Sequence, residues 1–225
     1  MLVIVSFFRL IRRKIGRYGF LLMSMFLMIG LKPFLEDLVR VDLLADIFFS
    51  CVLMSGLYAL SNNPTAFKTS CLLMFVITGL KIVHHLVDNV TALYALELVL
   101  SMLFIIQILI IIFEHLLIEQ DITSDMIMGG ACAFVLIGIV WAYIYYLLEI
   151  FQPNSFKAAE PLGDDLGDFM YYSFVTLTTL GYGDVLAVSK QARGLTILEA
   201  IIGQLYLAIM ISRLVSRHTS DSQRN

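Results

Sequence analysis

The chain has 225 residues, of which 60% are hydrophobic and 15% are charged, and its net charge is -3. Soluble domains average about 45–50% apolar and about 25% charged residues, so this composition excludes an ordinary soluble protein and predicts a membrane protein. The three cysteines, Cys51, Cys71 and Cys132, all lie in apolar stretches and do not predict a disulfide framework.

The N-terminal segment, residues 1–17, is basic. Its apolar stretch precedes its cations, which is the reverse of the order in a cleavable secretory signal. We therefore expect an amphipathic cytoplasmic segment that lies on anionic lipid headgroups. The cations are Arg9, Arg12, Arg13, Lys14 and Arg17.

Six apolar stretches follow, and each is long enough as a helix to cross the hydrocarbon layer of about 30 Å. The predicted fold class is an all-α membrane protein with six transmembrane helices and a re-entrant pore helix with its filter loop between spans five and six. A four-helix membrane domain at 18–118 would precede a pore domain at 126–216 and a short cytoplasmic tail at 217–225. The predicted spans are Tyr18–Leu35, Leu43–Leu60, Ser70–Val87, Leu93–Leu116, Met126–Phe151 and Gln191–Val215.

Basic residues flank both ends of the chain, and the tail carries Arg213, Arg217 and Arg224. Lys and Arg favour the cytoplasmic side, and an even number of spans places both ends on one side. We expect a multi-pass protein of the plasma (inner) membrane with both termini cytoplasmic. The short tail predicts no C-terminal regulatory domain.

The fourth span carries no cation, because Lys and Arg are absent from 82–156. A voltage sensor needs charges that move in the field, so strong voltage gating is not expected. Lys81, Glu97 and Asp46 are predicted to form a static pair or network.

The four histidines show no spacing for a nucleophile–base pair or for a metal site within one span, and no enzyme is predicted. The pair His84 and His85, near Asp88, fits a packed or interfacial pair better than a metal or proton site. The other two histidines are His115 and His218.

The segment that precedes the sixth span is too short to cross the membrane. Its apolar part is about 12 residues, or roughly 18 Å as a helix, and Asp164 and Asp165 are suited to start that helix. It predicts a re-entrant helix. Non-helical backbone at membrane depth is tolerated only where protein buries it or where it lines water, so the Gly-Tyr-Gly that follows is predicted to line a pore.

The run Thr178-Thr179-Leu180-Gly181-Tyr182-Gly183-Asp184 resembles the potassium-channel signature Thr-Val-Gly-Tyr-Gly. The resemblance to the potassium channel superfamily covers about Met126 to Val215. It implies that backbone carbonyls, with the Thr179 hydroxyl, replace the water shell of K+, and that Gly181 and Gly183 supply positive φ. The expected K+ ligands are Thr179, Leu180, Gly181 and Tyr182, and Gly183 completes the filter.

The resemblance further implies a homotetramer with three further copies of the chain, K+ ions in the filter and no organic cofactor. Membrane lipids are expected partners, and nucleic acid is not. Leu180 stands where the family usually has Val or Ile. The alternatives are a weakly selective cation channel and a non-conducting modulatory subunit with a pore-like fold, and the intact Gly-Tyr-Gly argues against both.

Thr178, Asp184, Tyr171 and Tyr172 are expected to support the filter. Many family members have two Trp at the positions of the tyrosine pair, and either tyrosine hydroxyl is suited to bond Asp184. The alternative for the pair is plain aromatic packing. Some members carry Glu where this chain has Val175, so inactivation that depends on that Glu is not expected.

In the sixth span, Gly203 matches the hinge glycine of the family's inner helix, and close helix packing is the alternative interpretation. Glu199 is an acid inside a span, and we interpret it as a buried hydrogen-bonding brace, with a proton sensor for gating as the alternative. The residues predicted to face the pore cavity are Gln204, Leu207 and Ile211.

A set of acids in the connection before the sixth span predicts an outer mouth that concentrates cations. Helix capping is the alternative role, above all for Asp164 and Asp165. The acids are Glu160, Asp164, Asp165, Asp168 and Asp184.

Overall fold

A computed structural model of the chain describes residues 18–31, 34, 64–86, 91–118, 123–158, 162 and 166–222. The predicted second span, the basic N-terminal segment and the predicted network partner Asp46 lie outside the described residues. The same holds for Asp88 and for the side chains of His84 and His85. Three of the predicted mouth acids, Glu160, Asp164 and Asp165, also lie outside them.

The described residues are mostly helical. Within the described residues, three helices are long and apolar enough to cross a membrane: α3, α4 and the Lys190–Arg213 part of α6. They correspond to the predicted fourth, fifth and sixth spans, and the six-span architecture stays a prediction. The elements are α1 (Tyr18–Leu31), α2 (Pro64–Leu86), α3 (Thr91–Ile118), α4 (Ser124–Phe151), β1 (Phe156–Ala158), α5 (Leu166–Leu177), β2 (Val185–Ala187) and α6 (Lys190–Ser222).

Hydroxyl side chains start two of these helices. The Met126 amide donates to Thr123 Oγ1 at 3.1 Å, and the Ala192 amide donates to Ser189 Oγ at 3.1 Å. Each bond satisfies an N–H group that has no partner inside its helix, which is the usual role of an N-cap. Pro153 follows the end of α4, where it cannot continue a helix.

The chain forms two compact units. Of the described residues, the first unit takes those up to Phe75 together with Gln107–Val135, and the second takes Val76–Ile106 and those from Leu136 onward. These limits fall inside helices. The predicted division at 18–118 and 126–216 therefore stays a prediction.

In the first unit, the start of α1 is held by the start of α4. The Tyr18 amide donates to Asp125 Oδ1 at 3.3 Å, and Cys132 Sγ donates to the Tyr18 carbonyl at 3.0 Å. A Cβ at Gly129 would lie 3.1 Å from the Tyr18 ring, so glycine lets this ring lie against the helix backbone. Cys132 is buried and free, as expected for a small core residue.

The second unit contains a two-stranded antiparallel sheet, in which Phe156 pairs with Ala187 and Ala158 pairs with Val185. The sequence did not predict it, because a strand of three residues is too short to show an alternating pattern. The all-α expectation therefore needs this correction. The sheet ties the connection after α4 to the start of α6.

Glu149 organises the turn that leads into β1. Its carboxylate accepts the backbone amides of Asn154 at 2.7 Å, Ser155 at 3.0 Å and Phe156 at 3.2 Å. Asn154 has φ 65°, a left-handed conformation that Asn tolerates better than most residues. The carboxylate thus replaces the helix and strand partners that these amides lack.

An aromatic cluster forms the core around α5. The ring centroids of Tyr145, Phe156 and Tyr172 lie 5.1–5.3 Å apart with steep interplanar angles, and Phe169 stacks on Tyr146 at 5.1 Å. Aromatic pairs in edge-to-face and offset-stacked geometry add about 0.5–1.5 kcal/mol beyond their buried area. This packing holds α5 against the second half of α4.

The second unit also contains an ion pair between α2 and α3. Lys81 Nζ lies 3.8 Å from Glu97 Oε1, and both side chains are mostly buried. The predicted static pair is therefore present for these two residues.

Candidate functional site

The short helix α5 places the signature run. It has 12 residues, and its buried side chains Phe169, Tyr172, Ser173, Val175 and Leu177 form one inner face. Asp168 lies in its first turn, where a carboxylate interacts favourably with the helix dipole. The helix packs on α6 and ends at Leu177, directly before the signature.

The backbone of the signature alternates in handedness. Thr179 has φ 57°, Gly181 has φ 57° and Gly183 has φ 78°, whereas Leu180 and Tyr182 do not have positive φ. Positive φ beside a residue without it can bring successive N–H groups to one side of the backbone. The positive φ predicted at the two glycines is present.

Hydrogen bonds to α5 orient the backbone amides of the signature. The amides of Leu180 and Gly181 both donate to the Val175 carbonyl, at 2.9 and 3.3 Å, and the Thr179 amide donates to the Thr176 carbonyl at 2.9 Å. The N–H side therefore faces the helix. The signature residues are exposed.

Thr179 has a left-handed conformation that is rare for a β-branched residue. The sequence did not predict this, because nothing in a threonine indicates positive φ. The side chain of its neighbour Thr178 lies against α5, where its hydroxyl donates to the Phe174 carbonyl at 2.6 Å. Thr178 therefore closes the end of α5.

The two adjacent tyrosines have different partners. Tyr171 Oη donates to Asp184 Oδ2 at 2.5 Å, whereas Tyr172 Oη lies 2.8 Å from Thr196 Oγ1 of α6. Successive residues on a helix point about 100° apart, so one ring faces the signature and the other faces the core. Of the predicted pair, Tyr171 alone reaches Asp184. This hydrogen bond lowers the pKa of the Asp184 carboxyl below its ordinary value.

The Tyr171→Phe variant is expected to shift the titration of Asp184 to higher pH. The wild-type hydrogen bond favours the carboxylate, so its contribution is present above the ordinary pKa and is lost as pH falls through the lowered pKa. Without the hydroxyl, that loss begins at higher pH. A ¹³C NMR titration of the Asp184 carboxyl measures the shift directly.

Tyr172→Phe is the matched control, because it removes a hydroxyl that bonds Thr196. Its Asp184 titration should match that of the wild type. Equal Asp184 titrations in Tyr171→Phe and wild type would contradict the assignment.

Gly203 lies where α6 crosses the end of α5. A Cβ at this position would lie 2.4 Å from the Leu177 carbonyl oxygen and 2.9 Å from Leu177 Cδ1. Real Cβ atoms do not approach backbone oxygen so closely, so close packing is sufficient to explain the glycine. The hinge role stays a prediction.

The predicted cavity residues share one exposed face of α6. Gln204 Nε2 lies 3.4 Å from Thr179 Oγ1, next to the signature. Leu207 is 38% exposed and Ile211 is 60% exposed. In the isolated chain, 11% of the α6 span is buried, compared with 67% of the α4 span. Helix α6 therefore has a large apolar surface that the described part of the chain does not cover.

Glu199 is fully buried between three helices. Tyr145 Oη of α4 donates to Glu199 Oε2, and Ser173 Oγ of α5 lies 2.5 Å from Glu199 Oε1. This geometry is what the brace interpretation requires, and the proton-sensor role stays a prediction. The sequence did not predict Tyr145 and Ser173 as partners, because they resemble ordinary residues of apolar helices.

No group of three or more His, Cys, Asp or Glu suited to hold a metal ion occurs among the residues that the structure describes.

Residues 121–220 match a family model described as an ion channel. Two curated relatives also match, both called Protein LctB. The protein from Bacillus caldotenax is 32% identical and that from Geobacillus stearothermophilus is 35% identical, each over 80 residues. Each alignment covers 33% of this chain and 59% of the relative, so the chain spans about three fifths of these relatives. No solved structure matches. Residues 121–220 are therefore similar to an ion-channel domain, and three of the described helices are long and apolar enough to cross a membrane.

Proposed function

We propose that this chain is one subunit of a potassium-selective channel that conducts K+ passively through a carbonyl-lined filter in a homotetramer. One observation carries the proposal. Positive φ recurs at every second residue, Thr179, Gly181 and Gly183, and the amides of Thr179, Leu180 and Gly181 all donate to the preceding short helix. This arrangement would turn a row of carbonyls to the side away from that helix. Such a row would present several oxygen ligands to a cation.

The chemistry of the row suits a dehydrated alkali cation. A K+ ion that leaves water needs a full set of oxygen ligands, and rings of backbone carbonyls supply them. Thr179, Leu180, Gly181 and Tyr182 would contribute the carbonyls and Thr179 a hydroxyl, while Gly183 keeps the backbone in register. The end of α5 adds a partial negative charge beside the row, because the peptide dipoles of a helix are aligned with their negative end at its C-terminus.

Exposed apolar side chains support a tetramer. Tyr182 is 67% exposed and Leu180 is 55% exposed, and the span of α6 is mostly uncovered. One chain supplies one carbonyl row, and four rows around an axis complete the rings. Closed cyclic symmetry is the usual arrangement for identical chains. Burial of these surfaces against three further copies would account for both observations.

The protein would lie in the plasma (inner) membrane with both termini cytoplasmic, surrounded by lipid. Gln204, Leu207 and Ile211 would line the cavity below the filter. K+ would be the bound ion, with no organic cofactor.

Potassium efflux from liposomes that contain the purified protein tests the proposal. We expect an efflux that barium blocks, because Ba²⁺ is close to K+ in size and fits the same rings. Protein-free liposomes of the same lipid are the control. Flux that passes Na+ equally would favour a weakly selective cation channel, and the absence of flux would favour a non-conducting modulatory subunit.

Open probability is expected to depend only weakly on voltage. Helix α3 carries no Lys or Arg, and its Glu97 is paired with Lys81 of α2. Moving one charge across the membrane is worth about 2.3 kcal/mol per 100 mV, and α3 has no cation to move. Single-channel recording over a range of voltages checks this. A conductance that rises steeply over a few tens of millivolts, in the absence of blocking ions, would contradict it.

A further inference from the structure

A buried chain of hydrogen bonds joins α4, α5 and α6 behind the signature. Ser173 Oγ lies 2.7 Å from the Gly138 carbonyl oxygen and 2.5 Å from Glu199 Oε1, and Tyr145 Oη lies 2.5 Å from Glu199 Oε2. All four residues are buried. The three helices thus meet at one carboxyl group.

The number of hydrogens available to this chain of hydrogen bonds is limited. A serine hydroxyl has one hydrogen, and a backbone carbonyl can only accept. If Glu199 were ionised, Ser173 would face two acceptors with a single hydrogen, and one of its two short contacts would be left without a hydrogen. If Glu199 carries a proton on Oε1, that proton is donated to Ser173, whose own hydrogen is donated to Gly138.

We infer that Glu199 is a neutral carboxylic acid in the folded channel and acts as a positioning residue for the filter. The order of donation is Glu199 to Ser173 and then Ser173 to the Gly138 carbonyl, while Tyr145 donates to the other carboxyl oxygen. Every polar side-chain atom in this chain of hydrogen bonds then has a partner, which a buried site requires.

The surroundings of Glu199 agree with a neutral group. The titratable side chains that face it are two phenols, Tyr145 from α4 and Tyr172 from α5. Among the described residues, no cation pairs with its carboxyl. An ionised carboxylate buried without a cation is costly, and more so inside a membrane. Glu97, the other buried glutamate in the described segments, has Lys81 as a partner instead.

The functional consequence rests on the proposed potassium channel. Ser173 lies on the helix that carries the signature, so the bond from Glu199 helps to hold α5 between α4 and α6. When hydroxide removes the proton, water forms and a carboxylate remains. Ser173 can then donate its single hydrogen either to that carboxylate or to the Gly138 carbonyl, but not to both. We expect α5 to lose its fixed position and the potassium current to fall as pH rises.

Infrared difference spectroscopy tests the protonation without reference to conduction. Wild-type protein is compared with Glu199→Gln at neutral pH. We expect the variant to lack a carboxylic-acid C=O band that shifts in D₂O. Glu97→Gln is the matched control. Glu97 is paired with Lys81, so this variant should lose carboxylate bands and keep the carboxylic-acid band. Loss of carboxylate bands in Glu199→Gln would overturn the inference.

The pH profile of the current tests the positioning role. The current of the wild type should fall by roughly tenfold at alkaline pH, the order expected when a buried hydrogen-bond partner is lost. Glu199→Gln should conduct with no such fall, since its amide donates to Ser173 and accepts from Tyr145 at every pH. Identical pH profiles would overturn the role. If the wild type passes no K+ at any pH, the proposed function fails, and the infrared result still decides the protonation.

Discussion

Replacing Gly181 with alanine is expected to abolish selective potassium current. Gly181 has φ 57°, and a Cβ there would meet nothing within 4 Å in the chain, so the effect is conformational and not steric crowding within one subunit. A left-handed conformation costs an L-residue about 1–2 kcal/mol, and the cost recurs in every subunit. The backbone should relax toward negative φ and turn a carbonyl out of the row. Potassium flux into liposomes measures the loss.

Gly194→Ala is the matched control. Gly194 lies in α6 without positive φ, and a Cβ there also meets nothing within 4 Å. Alanine favours a helix by up to about 1 kcal/mol over glycine, so this variant should fold and conduct. Wild-type selective current in Gly181→Ala would contradict the assignment of the signature as the filter.

Replacing Gly203 with alanine is expected to destabilise the protein. The new Cβ would lie 2.4 Å from the Leu177 carbonyl oxygen, and a backbone atom cannot move aside as a flexible side chain can. Overpacking of this kind typically costs 1–3 kcal/mol, roughly, and here it would push α6 away from the end of α5. Thermal unfolding of the purified protein should show a lower midpoint than that of the wild type.

Gly79→Ala is the control for this experiment, since a Cβ at Gly79 in α2 meets nothing within 4 Å. Its unfolding midpoint should not fall. The hinge interpretation of Gly203 makes a different prediction, namely an unchanged midpoint with a changed open probability. That result would contradict the packing account.

The spans with long apolar runs could be predicted from the sequence. The fifth predicted span, Met126–Phe151, differs from α4 by two residues at its start and by none at its end. The short helix α5 was also predictable, because its apolar run is too short to cross. Positive φ at Gly181 and Gly183 followed from residue type, since glycine is the residue that adopts it without a steric penalty.

Other features depend on specific contacts in the folded chain, and no residue pattern indicates them. The left-handed Thr179 is held by hydrogen bonds that its own amide and the Leu180 amide donate to carbonyls of α5. Tyr171 and Tyr172 look equivalent in the sequence, but the direction of α5 separates their partners. The carboxylate of Glu149 binds amides that are near in sequence, yet a lone acid at the end of a span is more simply interpreted as exposed. The role of Ser173 can be identified only from its contact with Glu199.

The reversal potential under bi-ionic conditions tests the central claim most directly. Purified protein is reconstituted in planar bilayers with K+ on one side and Na+ on the other, at equal concentration. A filter made of the Thr179 to Gly183 backbone predicts a reversal potential far from zero, with the sign that marks K+ as the permeant ion. A reversal potential at zero, with measurable current that Gly181→Ala leaves unchanged, would contradict the account.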